Sequence, residues 1–163
     1  MNQRIYNYSI HLLARQDYSE FKLRRKLRSK KDNLPHEVEE VLVSLKTKGL
    51  LREANYKRLF IRKWMMKGEG EDKIKKRGHM EKLEFEENDF EDVARELGFT
   101  DDDSLEKLVS KKLRAKDIPT GRKELQKLRD KTLRFLISKG HSYEEAKKSL
   151  NKFMTPSQIS EDF

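Results

Sequence analysis

The residue types that carry out chemistry are thinly spread in this sequence. Four histidines, His11, His36, His79 and His141, stand too far apart for a local zinc motif, and no His-Glu-x-x-His occurs. There is no cysteine, which excludes a disulfide scaffold, a thiolate metal site and a thiol nucleophile. Gly68-Glu69-Gly70 is not followed by Gly-Lys-Ser/Thr, so a turn is expected there and not a phosphate loop. Asp101-Asp102-Asp103 lacks the spacing of a calcium loop and suits helix capping and the helix dipole better. No serine lies in a known nucleophile motif. The expectation is a protein with no metal, no cofactor and no enzymatic activity.

Positive charge is what the sequence offers instead. Lys and Arg number 38 against 29 Asp and Glu, a formal net charge of +9. The charge is blocked along the chain: 9 basic against 3 acidic residues over 1–35, 3 against 4 over 36–54, and 10 against 4 over 55–82. Then come 1 against 11 over 83–106, 12 against 3 over 107–139, and 3 against 4 over 140–163. A basic block suits a polyanion, because Lys and Arg release condensed counterions from phosphates. A solvated helix face with opposite-sign neighbours explains any single block equally well. A three-fold alternation asks for more.

The candidate binding residues, taken as clusters, are Arg24, Arg25, Lys26, Arg28, Lys30 and Lys31 in the first basic block. The second supplies Arg58, Arg62, Lys63, Lys73, Lys75, Lys76 and Arg77. The third supplies Lys111, Lys112, Arg114, Arg122, Lys123, Lys127 and Arg134. On a helix Arg24 and Arg28 share a face, and so do Lys73 and Arg77. Tyr18, Tyr56, Phe60 and Trp64 could stack on bases, but their helical spacing favours core packing, with Trp64 central to the middle of the chain.

The elements that position these residues are helices. Seven glycines and three prolines in 163 residues are too few for a protein of tight hairpins, and Lys, Leu, Glu and Arg are good helix formers. With 34% hydrophobic and 41% charged residues, each helix can bury only one stripe. The longest apolar run is three residues, as in Leu59-Phe60-Ile61, too short for a membrane span or a secretory signal, so a cytoplasmic protein is expected.

Helical signals recur with a period near fifty residues. In the first unit, Ile5, Tyr8 and Leu12 mark a face that Ile10 and Leu13 widen. Ser19 caps a basic helix with Phe21, Leu23 and Leu27, and Pro35 opens a third helix with Val38, Val41, Leu42 and Leu45, stopped at Gly49. The second unit has Tyr56, Phe60 and Trp64, then Ile74, then an acidic helix with Phe90, Val93, Ala94 and Leu97, stopped at Gly98. The third starts at Asp103 as an N-cap, with Leu105, Leu108, Val109 and Leu113. A long helix with Leu125, Leu128, Thr132, Leu133 and Leu136 follows, and after Gly140-His141-Ser142 a last one with Ala146, Leu150 and Phe153. The expected fold is all-α, an elongated array of three tandem three-helix repeats over 1–52, 53–102 and 103–154, with a frayed tail at 155–163.

The stretches 12–27, 49–70 and 133–150, in that order and spacing, resemble the RecX family, small bacterial regulators of the RecA recombinase. Leu12-Leu13-Ala14-Arg15-Gln16-Asp17-Tyr18-Ser19-Glu20, followed by Leu23-Arg24-Arg25-Lys26-Leu27, is similar to the family's opening repeat. Gly49-Leu50-Leu51, Tyr56, Phe60, Ile61, Arg62 and Lys67-Gly68-Glu69-Gly70 are similar to its middle signature. Leu133-Arg134-Phe135-Leu136, Lys139-Gly140-His141-Ser142-Tyr143 and Leu150 are similar to its last repeat. Two positions depart from the pattern. Glu69 stands where the family has an aromatic residue, and Gly78 where it has a core leucine before a helix-ending Lys-Gly, so that Met80 or Leu83 is expected to fill the gap.

The resemblance implies tandem three-helix repeats seated in the groove of a RecA–DNA filament. It implies negative modulation of the ATPase, strand-exchange and co-protease activities of RecA, by groove binding or blocked filament growth. That would place the protein in DNA repair, recombination and the SOS response, as a monomer with no membrane partner. Single- and double-stranded DNA would be bound weakly and without sequence preference. From the charge pattern alone, a helix-turn-helix DNA-binding regulator and a plain helical scaffold stay open. Against the former, a recognition helix is usually the last of its bundle, and the last helices here lie in the neutral or acidic blocks.

Overall fold

A computed structural model describes residues 1–99, 103–114 and 118–154. Asp101 and Asp102 of the acidic triplet and the tail at 155–163 lie outside the described residues. Within them all regular structure is helical: α1 (Gln3–Arg15), α2 (Glu20–Arg28), α3 (Pro35–Thr47), α4 (Glu53–Met65), α5 (Glu71–Met80), α6 (Asp89–Glu96), α7 (Asp103–Arg114), α8 (Arg122–Ser138) and α9 (Tyr143–Phe153). Local chemistry sets the ends. The Ser19 hydroxyl accepts from the Lys22 N–H at 3.2 Å and starts α2. Ser142 and Glu145 form a reciprocal capping box on α9. After Gly49 and Gly98 the chain folds back, with Leu50 N–H donating to Leu45 C=O and Phe99 N–H to Ala94 C=O, both at 2.9 Å. Asp103 is in the first turn of α7 and not at its N-cap.

The described chain divides into two compact units, Met1–Phe60 with Arg77–Glu86, and Ile61–Lys76 with the described residues from Glu87 onward. The division runs through α4 and α5, whereas α1–α3 fall wholly in one unit and α7–α9 wholly in the other.

In the first unit α1, α2 and α3 pack mutually around Ile5, Leu12, Leu23, Leu27, Val38, Val41, Leu42, Leu45 and Leu51. Burying each such aliphatic side chain stabilises by about 1.5–3 kcal/mol. Buried Ser9 donates to the Ile5 carbonyl at 2.8 Å, so its hydroxyl is satisfied. The segment after α5 explains Gly78. A Cβ there would run into the ring of Phe85, which lies 6.5 Å from the Phe60 ring, centroid to centroid. The aromatic ring occupies the space of the expected leucine. Leu83 is buried as well, whereas Met80 is 77% exposed. The missing helix-ending glycine is replaced by Lys82, which takes the left-handed conformation at φ 58°, with Leu83 N–H donating to Gly78 C=O at 3.0 Å.

In the second unit α7, α8 and α9 pack mutually around Leu105, Val109, Leu113, Leu125, Leu128, Leu136, Ala146, Leu150 and Met154. Met154 replaces Phe153 in this core: Phe153 is 38% exposed, because α9 ends there and the extended backbone at 154 turns the next side chain inward. Trp64 is half-buried, not central; the fully buried side chains of α4 and α5 in this unit are Ile61 and Ile74. Leu59, beside them in sequence, is exposed. Gly70 and Gly140 make a close backbone approach. Gly70 N–H donates to Lys139 C=O at 2.8 Å, and a Cβ on Gly70 would strike the Gly140 carbonyl. Gly140, at φ 91°, admits no side chain against the backbone of Lys73.

Candidate partner and nucleic-acid interface

The first-block cations of α2 sit on a helix whose Leu23 and Leu27 are fully buried, which sends its basic residues outward. Much of that charge is used within the unit. Arg24 donates to Glu39 through Nε at 2.9 Å and Nη2 at 3.1 Å, a two-pronged contact, and also to Glu20. Arg28 donates to the same Glu39 at 2.7 Å, and Lys46 pairs with Glu20. Hydrogen bonds from Arg24, joined by those from Arg28, hold the Glu39 carboxyl below its ordinary pKa against the opposing effect of partial burial. For Glu20, burial acts to raise the pKa, and the hydrogen bonds from Lys46 and Arg24 outweigh it, so the net shift is downward.

A second network ties α2 to the residues that follow it. Lys22 Nζ donates to the Tyr56 hydroxyl at 2.8 Å and lies 2.8 Å from Glu81, to which Tyr56 donates at 2.7 Å. Burial works against the Lys22 charge, yet the bonds to Glu81 and Tyr56 hold its pKa above the ordinary value. Of the remaining candidates in this unit, Arg25, Lys26 and Lys31 are exposed and have no acidic partner among the described residues. Lys30 lies 5.7 Å over the Tyr8 ring. Arg58 is exposed on α4 and reaches Asn55, and Arg77 is half-buried on α5.

In the second unit Arg62 and Lys63 are exposed on α4, and Lys63 lies 5.5 Å over the Trp64 ring. Lys73 is engaged internally, donating to Ser138 C=O at 3.1 Å and pairing with buried Glu69 at 3.7 Å. Lys75 pairs with Glu71, and Lys76 is exposed. Arg122, Lys123 and Lys127 are exposed on α8, where Arg134 bonds back to Asp130 C=O at 3.3 Å. Lys112 lies 4.3 Å over the Phe135 ring. Lys111 and Arg114 are exposed on α7 with no acidic partner among the described residues.

The structure adds two cations to that last group. Lys67, just after α4, and Lys107, on α7, line the same small cavity as Lys111, about 160 Å³ in volume, with Met66, Leu108 and Phe99. A shallower opening continues from it along Lys107, Ser110, Lys111 and Arg114. Lys107, Lys111 and Arg114 are spaced i, i+4, i+7, so their shared face was visible in the sequence. Lys67 enters only through the fold.

A larger cavity, about 460 Å³, is lined by Glu69, Glu71, Asp72, Glu91 and Glu145 against Phe90. No three acidic or histidine side chains among the described residues converge as a metal would require. The four histidines are not gathered either; His141 Nε2 lies 3.1 Å from the Gly68 carbonyl and ties the turn before α9 to the turn after α4. Among the described residues no helix is long and apolar enough to cross a membrane.

No family model matches this sequence, and no curated protein matches it. Among solved structures the chain is similar to the crystal structure of RecX from Lactobacillus salivarius, at 22% identity and a TM-score of 0.67. The match covers 92% of this chain and 94% of that one. The all-helical fold of this chain is therefore that of the RecX structure over 92% of its length.

Proposed function

We propose that this protein is a RecX-type regulator, a non-enzymatic protein of three tandem repeats that binds a RecA–DNA filament and holds down its ATPase, strand-exchange and co-protease activities. The observation that carries the reading is the end-to-end likeness to a RecX structure. The sequence motifs at 12–27, 49–70 and 133–150 support it independently of the fold. The exposed cations Arg25, Lys26 and Lys31 in one unit, and Lys111, Arg114, Arg122, Lys123 and Lys127 in the other, supply faces for an acidic groove or a DNA strand. The helix-turn-helix alternative gains nothing from α6, which opens with Asp89, Glu91 and Asp92 and would repel a duplex.

The test is DNA-dependent ATP hydrolysis by RecA on excess single-stranded DNA, with this protein titrated in at low and moderate salt. Substoichiometric inhibition that weakens as salt rises is the expected result. Inhibition only near saturation of the DNA would mean competition for the strand. No inhibition by the folded protein with its matching recombinase would remove the function and leave the fold.

A further inference from the structure

We propose that the trough on α7 and the end of α4 is a binding site for single-stranded nucleic acid, used in preference to duplex. The proposal deepens the filament-regulator reading and rests on it for its biological setting, but its chemistry stands alone. Three cations, Lys67, Lys107 and Lys111, border one cavity, and Arg114 extends the line by another turn of α7. None of the four has an acidic partner among the described residues, in contrast to Arg24, Arg28 and Lys73 in the other basic clusters. Lys67 lies 4.6 Å over the Trp64 ring and Lys107 4.9 Å over that of Phe99, contacts that leave the charge unneutralised, so these cations can still release counterions from phosphates.

Beside these cations the lining of the cavity includes apolar Met65, Met66, Leu108 and Phe99. Met66 is 64% exposed, so its thioether is accessible to a ligand. The Phe99 ring is half-buried, with Lys107 Nζ 4.9 Å from its centre. Phosphate-seeking cations lining one cavity with aromatic and thioether side chains suit a strand whose bases are turned out of a duplex. Bases can stack on the aromatic ring while the backbone follows the cations. A duplex keeps its bases stacked inside and would meet the cations alone. An acidic peptide without aromatic residues would use the cations equally but offers no flat face to Phe99.

The experiment uses the whole protein and no recombinase. A fluorescent oligothymidine of about 16 nucleotides is titrated by anisotropy, with the matching duplex as competitor. The expected results are tighter binding of the single strand, and a loss of at least about tenfold in the triple variant Lys67→Ala/Lys107→Ala/Lys111→Ala. The log–log salt slope should flatten by about 2, from three lost phosphate contacts on a single strand. Phe99→Leu keeps an apolar side chain but removes the flat ring, and should weaken single-strand binding severalfold while leaving duplex binding unchanged. A control triple of the same charge change at exposed cations outside the candidate clusters, Arg15→Ala/Lys131→Ala/Lys147→Ala, should lose far less.

Equal losses in the two triple variants, duplex bound as tightly as single strand, or no strand binding at all by the folded protein would each overturn the proposal. RecA inhibition by wild type, measured separately, reports on the regulator reading: inhibition without strand binding sinks this site and leaves that reading intact.

Discussion

Two basic helices, α2 in the first unit and α7 in the second, look alike as sequence and behave differently as structure. Both carry several cations on an exposed side above a leucine stripe. On α2, Arg24 and Arg28 converge on Glu39, Glu20 is held by Arg24 and Lys46, and Lys22 is bound to Tyr56 and Glu81. That part of its charge serves cohesion within the unit, while Arg25 and Lys26 stay exposed. On α7, Lys107, Lys111 and Arg114 stand beside apolar surface with no acidic partner among the described residues. Counting charge along a chain measures what a helix carries; the carboxylates across from it decide what it can offer.

The contrast is broken most severely at Arg24. Replacing it by Glu sets a third carboxylate against Glu20 and Glu39 and should destabilise the protein by about 2 kcal/mol, read as a lowered urea midpoint. An unchanged midpoint would make the network ornamental and return Arg24 to the candidate binding residues. The triple reversal of Arg24, Arg25 and Arg28 would mix this structural loss with any loss of binding; Arg25 and Lys26 are the cleaner probes.

Acid should produce the next effect. Glu20 and Glu39 have folded-state pKa values below their unfolded ones, so their stabilisation is present above the unfolded pKa, about 4.3, and is lost as pH falls through the folded values. Glu39→Gln should cost about 1 kcal/mol at pH 7 and flatten the decline of melting temperature below pH 4.5. A variant that loses stability as steeply as wild type in acid would assign the decline elsewhere. The smallest change is expected on α7: Lys111→Glu should shift stability by no more than about 0.5 kcal/mol in thermal unfolding. A larger loss would mean that α7 too is held by its charge.

Local chemistry was legible in the sequence. Ser19, Ser142, Gly49 and Gly98 mark helix ends by side-chain and backbone preferences that act over three or four residues, and the structure uses them there. The stripes Val38, Val41, Leu42, Leu45 and Leu125, Leu128, Leu136 follow from helical period alone and form the two cores. What was not legible needed pairs distant in sequence. The partner of Arg24 is fifteen residues away on another helix, and Lys22 meets Glu81 only through the fold. Lys67 joins Lys107 in one cavity for the same reason. Trp64 shows the limit of period in the other direction: four-residue spacing from Phe60 put it on an apolar stripe, but Lys63 and Lys67 cover its ring and its surface stays partly open.

The ring of Phe85 in the notch at Gly78 ties the history of two positions together. A larger residue at 78 alone meets an occupied space, and a smaller one at 85 alone leaves a hole beside Phe60. Neither site can drift by itself without loss. Exchanging this arrangement for a leucine at 78 requires both changes at once or passage through a weakened intermediate, so substitutions at the two positions are coupled and not additive.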